Sequence, residues 1–144
     1  MREITKIIVH CSATKEGKEF SVADIDRWHK DRGFRCVGYH YVVKLNGDVE
    51  VGRMEKEIGA HCLGHNNHSI GICYIGGLDA NGKSKDTRTP EQKESLLILL
   101  KELKKKYPKA TIHGHREFAN KDCPCFDAKN EYKNVREILL NFLL

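Results

Sequence analysis

The chain has 144 residues, 40% of them hydrophobic and 31% charged, with a formal net charge of +5. That length fits one domain with a real core, and no apolar run approaches the roughly 18 residues needed to span a bilayer. The start, MREITKIIVHCSATKEG, has neither the apolar stretch nor the small-residue cleavage site of a signal peptide, so synthesis in the cytoplasm is expected.

Lys6-Ile7-Ile8-Val9, ending at His10, reads as a strand buried on both faces. Ser21 followed three residues later by Asp24 reads as a capping box. Val22, Ile25 and Trp28 then give an apolar stripe that Gly33 stops. Residues 39–43 and 49–51 flank Asn46-Gly47, a strong hairpin signal. SIGICYI, residues 69–75, predicts another buried strand. The polar loop 79–90 ends with Thr89 as N-cap, Pro90 at the first helical position and Gln92 at the third. Leu96, Leu97, Leu99, Leu100, Leu103 and Tyr107 then share a helical face closed by Pro108. Residues 110–113 predict a short strand, and 130–144 a C-terminal helix. Strands alternating with helices predict a single α/β domain over residues 1–144, a central mixed sheet flanked by helices with one antiparallel hairpin.

Chemistry in such sheets gathers beyond the carboxyl ends of strands. His10 ends the first strand, His113 and His115 end the strand near residue 112, and Cys123 follows on a loop. If those strands are neighbours, imidazoles and a thiolate converge, and three such ligands with an open fourth position describe a catalytic zinc site. Taken singly, each of the eight histidines is better read as a satisfied core or surface side chain, so it is the joint placement that carries weight. Tyr39 and Lys121 are candidates to stabilise an oxyanion beside the metal. Alone, the one reads as a core aromatic and the other as a solvated charge. A cysteine nucleophile leaves Lys121 little to do, and Cys123-Pro124-Cys125 lacks the spacing of a thiol oxidoreductase. The six cysteines lie scattered through apolar segments, which favours buried thiols over a disulfide framework. The basic residues form no stripe interleaved with aromatics, so nucleic acid is not expected as a partner.

IVHCSATK at 8–15, VGYHY at 37–41, NHSIGICYIGG at 67–77 and HREFANKDCPCFD at 115–127 occur in an order that resembles the zinc-dependent N-acetylmuramoyl-L-alanine amidases of the phage-lysozyme type. That family shares its fold with the animal peptidoglycan recognition proteins. The resemblance implies that His10, His115 and Cys123 hold Zn2+, with Tyr39 and Lys121 as catalytic residues and His61 and Asn66 lining a groove for the stem peptide. The implied reaction hydrolyses the amide between N-acetylmuramic acid and L-alanine of peptidoglycan. A monomer that does not insert into membranes is expected, reaching the wall through a separate membrane-permeabilising protein, as a phage or prophage endolysin does. A wall-binding module without turnover and a cytoplasmic wall-recycling amidase are the alternatives. Non-catalytic modules typically lack the cysteine ligand and some recycling relatives use aspartate there, so Cys123 favours the lytic type. Cys125 falls where many relatives carry a small non-thiol residue. Both it and His113 stand close enough in sequence to compete as ligands.

Overall fold

The computed structural model describes residues 2–138. Its sheet has the order β4-β3-β5-β1-β7, built from β1 (Lys6–Cys11), β3 (Tyr41–Val43), β4 (Val49–Val51), β5 (Ser69–Tyr74) and β7 (Thr111–Gly114). β1 pairs in parallel with β5 on one side and β7 on the other. β3 is parallel to β5, and the expected hairpin makes β3–β4 antiparallel. Two two-residue strands, β2 (Thr14–Lys15) and β6 (Gly77–Leu78), form a separate parallel pair. Sequence periodicity does not register strands that short.

Each face of the sheet has its own core. Alternation along a strand sends neighbouring side chains to opposite sides. Ile7, Val9 and Cys11 of β1, with Ile70, Ile72 and Tyr74 of β5, pack under Leu96, Leu100 and Leu103 of helix α2 (Pro90–Lys106) and under Tyr132 and Val135. On the other face Val42, Cys73 and Ile75 meet Ile25 of α1 (Val22–Asp31), with Val22 and Trp28 beside it. Ile8 and His10, between the α2-facing residues of β1, are both buried.

Both predicted capping boxes form: Ser21 with Asp24, and Thr89 with Gln92. Gln92 does more than cap. Its side chain is fully buried, and its Nε2 donates to the carbonyls of Val43 (3.2 Å) and Ile75 (2.9 Å), where β3 and β5 end. Of the predicted leucine face, Leu96, Leu100 and Leu103 are buried, whereas Leu97, Leu99 and Tyr107 pack only partly against the core.

Two expectations need correction. The strand expected from Tyr39 begins at Tyr41. The chain ahead of it is held instead by side chain and turn, with His29 Nδ1 accepting the Gly38 N–H at 2.8 Å. The helix expected over 130–144 is not continuous. Helix α3 covers Ala128–Glu131 and stops at Tyr132, and a 3-10 turn takes Val135–Glu137. That break turns Tyr132 and Val135 into the core together. The part of the expected helix from 139 to 144 lies outside the described residues.

Candidate metal centre

Parallel pairing of β1 with β7 places Val9 beside Gly114, so His10 and His115 leave neighbouring strands one step further on. His115 is no longer in the strand. It opens a 3-10 turn, His115–Glu117, whose first residues are locked by Glu117 accepting the Gly114 N–H at 2.7 Å. His10 Nδ1 and His115 Nδ1 face each other at 3.1 Å. Cys123 completes the group: its Sγ accepts the Cys11 N–H at 3.2 Å, and Arg116 N–H bonds the Cys123 carbonyl at 2.8 Å. One ligand atom from each of His10, His115 and Cys123 lies within 4.8 Å of the other two.

The donor set fits a divalent metal of zinc's preferences, two imidazole nitrogens and one sulfur with one position of a tetrahedron left over. Ligand imidazoles must be neutral. Burial, followed by the neighbouring His61, His115 and Lys121 charges, pushes His10 well below the usual histidine range. His115 is lowered by burial and then by Lys121. Both rings therefore offer lone pairs at neutral pH.

The other nitrogen of His10 is also accounted for. His10 Nε2 meets His61 Nδ1 at 2.8 Å, and His61 Nε2 meets Ser69 Oγ at 3.1 Å. His61 is held neutral, at a pKa of about 3, by burial and then by His40. When the Nδ1 lone pair of His10 serves a metal, His10 Nε2–H donates to His61 Nδ1 and His61 Nε2–H donates to Ser69. In that tautomer His10 Nδ1 faces His115 and Cys123.

His61 is thus turned inward, 9% exposed, behind His10. Asn66 supports the loop that carries it: its Oδ1 accepts the backbone N–H groups of His61 (2.9 Å) and Cys62 (3.0 Å). Tyr39 lies with its ring 5.1 Å from His10 and 5.3 Å from His29. Burial raises its phenol well above the ordinary range, with nearby thiols adding to the effect, so it stays protonated. Lys121 is exposed two residues before Cys123, near enough that its charge acts on both His10 and His115.

His113 goes elsewhere. Its Nδ1 bonds Glu117 at 2.9 Å and its Nε2 bonds Thr111 Oγ1 at 2.6 Å. Cys125 is likewise aimed away from the cluster, its thiol donating to the Gly77 carbonyl at 3.3 Å.

The sequence reading did not single out His40 or Ser69. His40 is fully buried, with Nδ1 accepting the Gly71 N–H at 3.0 Å and Nε2 bonding the Glu57 carbonyl at 2.8 Å. A signal for this layer was present. Gly71 interrupts the apolar run of β5, and glycine inside a strand marks a close approach. A Cβ there would stand 2.5–2.7 Å from the His61 ring.

The N-acetylmuramoyl-L-alanine amidase family profile matches residues 1–126. The endolysin of Escherichia phage T7 is 47% identical over 123 residues, 85% of this chain and 82% of its own. Among solved structures, the N-acetylmuramoyl-L-alanine amidase LysC from Clostridium intestinale superposes with a TM-score of 0.77 at 26% identity, covering 90% of this chain and 82% of LysC. Drosophila PGRP-LB has the same fold, with a TM-score of 0.77 at 21% identity over 97% of this chain and 85% of its own. Sequence motifs, sheet order and relatives agree: the chain belongs to the N-acetylmuramoyl-L-alanine amidase family and is a peptidoglycan amidase of the phage endolysin kind.

Proposed function

We propose that His10, His115 and Cys123 hold Zn2+ and that the chain uses it to cut the amide between the lactyl group of N-acetylmuramic acid and L-alanine of the stem peptide. The observation that carries this reading is the convergence of three donors from β1, the turn after β7 and the following loop within 4.8 Å. Zn2+ held there supplies Lewis-acid polarisation of a carbonyl and activation of water near neutral pH.

The chain's own residues supply the rest. Tyr39 keeps its proton and donates a hydrogen bond toward the oxygen that gains charge as the carbonyl is attacked. The ammonium of Lys121 stands at the solvent edge of the cluster and offsets the same negative charge. His61, backed by Ser69, holds the His10 ring plane and accepts its Nε2–H when Nδ1 serves the metal, the kind of support that tunes a metal ligand's affinity. Asn66 holds the 61–66 loop in shape. His61 and Asn66 thereby act behind the site rather than on the stem peptide itself.

Hydrolysis at this amide frees stem peptides from glycan strands. The chain works as a monomer on the wall, after leaving the cytoplasm through a lesion made by a separate membrane-permeabilising protein. Purified chain should carry one zinc, clear a suspension of cell walls, and release free stem peptides identifiable by mass spectrometry. Clearing should stop after chelation and return with added Zn2+. Wall binding without peptide release would leave a recognition module in place of the enzyme.

A further inference from the structure

The thiols of Cys11 and Cys125 stand outside the ligand set yet beside it. Their sulfurs are 3.9 Å apart, across 114 positions of sequence. Cys11 closes β1 next to His10, and Cys125 lies two residues past Cys123. The loop turns sharply there, with Cys125 N–H donating to the Asp122 carbonyl at 2.6 Å and Cys125 at φ 71°. Gly77, at φ 103°, makes room for the pair: a Cβ at that position would sit 2.5 Å from Cys11 Sγ. Cys123 also neighbours Cys11: its sulfur takes the Cys11 backbone N–H and stands in hydrogen-bond reach of the Cys11 thiol.

We propose that Cys11 and Cys125 form a reversible disulfide that braces the metal-ligand loop once the chain meets an oxidising solution. A bond length of about 2.05 Å requires the sulfurs to close by about 1.9 Å. Cys125 is half-buried and Cys11 is 5% exposed, so a small disulfide reaches Cys125 first. With oxidised glutathione, the Cys125 sulfur displaces one glutathione and forms a mixed disulfide. The Cys11 sulfur then attacks the Cys125 sulfur and releases the second. One glutathione S–S bond is broken and one protein S–S bond is made. Two electrons pass to glutathione, and the two thiol protons end on its two reduced molecules.

The bond would tie together the segments carrying His10 and Cys123 and close a loop of more than a hundred residues, the size for which cross-linking restricts the unfolded chain most. Passage from a reducing cytoplasm to an oxidising exterior would switch it on; that timing rests on the function proposed above, whereas the pairing itself does not.

The test uses the full-length, zinc-loaded chain, incubated with oxidised glutathione, alkylated and mapped without reductant. One Cys11–Cys125 cross-linked peptide is expected, with zinc retained and Tm raised by about 5 °C or more. Both should revert with dithiothreitol. Cys125→Ser should show no cross-link and no oxidant-dependent rise. Alkylated, unpaired Cys11 and Cys125 overturn the proposal, as does a cross-link that takes Cys123. Loss of zinc on oxidation, or an unchanged Tm with the cross-link present, overturns the bracing. If the chain binds no zinc yet the cross-link and the Tm rise appear, the metal assignment fails and the brace stands.

Discussion

At the scale of single residues, H-G-H at 113–115 shows how little separates a candidate ligand from a bystander. Two strand residues two apart share a face, and on that basis either histidine qualifies. The strand ends at Gly114, however, so His115 swings with the 3-10 turn toward His10 while His113 stays on the β7 edge between Thr111 and Glu117. His115→Ala should therefore purify without zinc and be inactive on cell walls. His113→Ala should keep stoichiometric zinc and lose at most some stability. Metal content per folded chain decides it, and an empty His113→Ala would move the site by one residue pair. Lys121 makes a separate case, because it is exposed and its loss leaves the ligand cluster intact. Lys121→Ala should bind zinc normally yet hydrolyse muramoyl-L-alanine amide about 10² to 10³ times more slowly, the usual cost of one oxyanion donor. Near-normal turnover in that variant would remove Lys121 from the mechanism.

At the scale of elements, the candidate site depends on β5 as much as on the strands that carry the proposed ligands. Ser69 at its start supports His61, and Gly71 leaves the space into which the His61 ring fits. Because the contact at 2.5–2.7 Å is with a ring wedged between His10 and Ser69, Gly71→Ala has no cheap relaxation. We expect it to cost about 1–3 kcal/mol as overpacking and to weaken zinc binding about 10- to 100-fold by disturbing the support of His10. Urea unfolding and competition with a fluorescent chelator would measure the two effects. Unchanged zinc affinity would show that His10 does not need His61. The hairpin and the two capped helices were readable because their signals are local: Asn46-Gly47 sets a turn, and Ser21 and Thr89 answer N–H groups three residues away. Gln92 was only half readable, since its cap is local but its bonds to Val43 and Ile75 span the fold.

Across the whole molecule, one buried cation ties loop 79–89 to the last described segment. The Arg88 side chain is 2% exposed, pairs with Asp86 and Glu131, bonds the Tyr132 hydroxyl at 2.9 Å and lies 3.4 Å over the Phe126 ring. Its carboxylate partners are about a third or more exposed and can rehydrate, so their attraction is discounted. Lost packing on Phe126 and an unpaired Tyr132 hydroxyl remain, about 2 kcal/mol. Arg88→Ala should lower Tm by about 4–8 °C while zinc content stays unchanged. A calorimetric scan with metal analysis checks both, and an unaltered Tm would show the cluster to be only a surface feature.

The sequence by itself determined the α/β class, the hairpin, both capped helices and the buried strands, because periodicity and caps act over a few residues. Its ordered motifs also pointed to the family and to candidate site residues from His10 to Cys123. Tertiary structure decided which of those residues meet. Only the parallel pairing of β1 with β7 sets His10 against His115, and only the packing of the 61–68 loop on β5 sets His61 between His10 and Ser69. Such contacts join positions 51 and 105 residues apart, and no local pattern in a chain specifies a hydrogen bond across that distance.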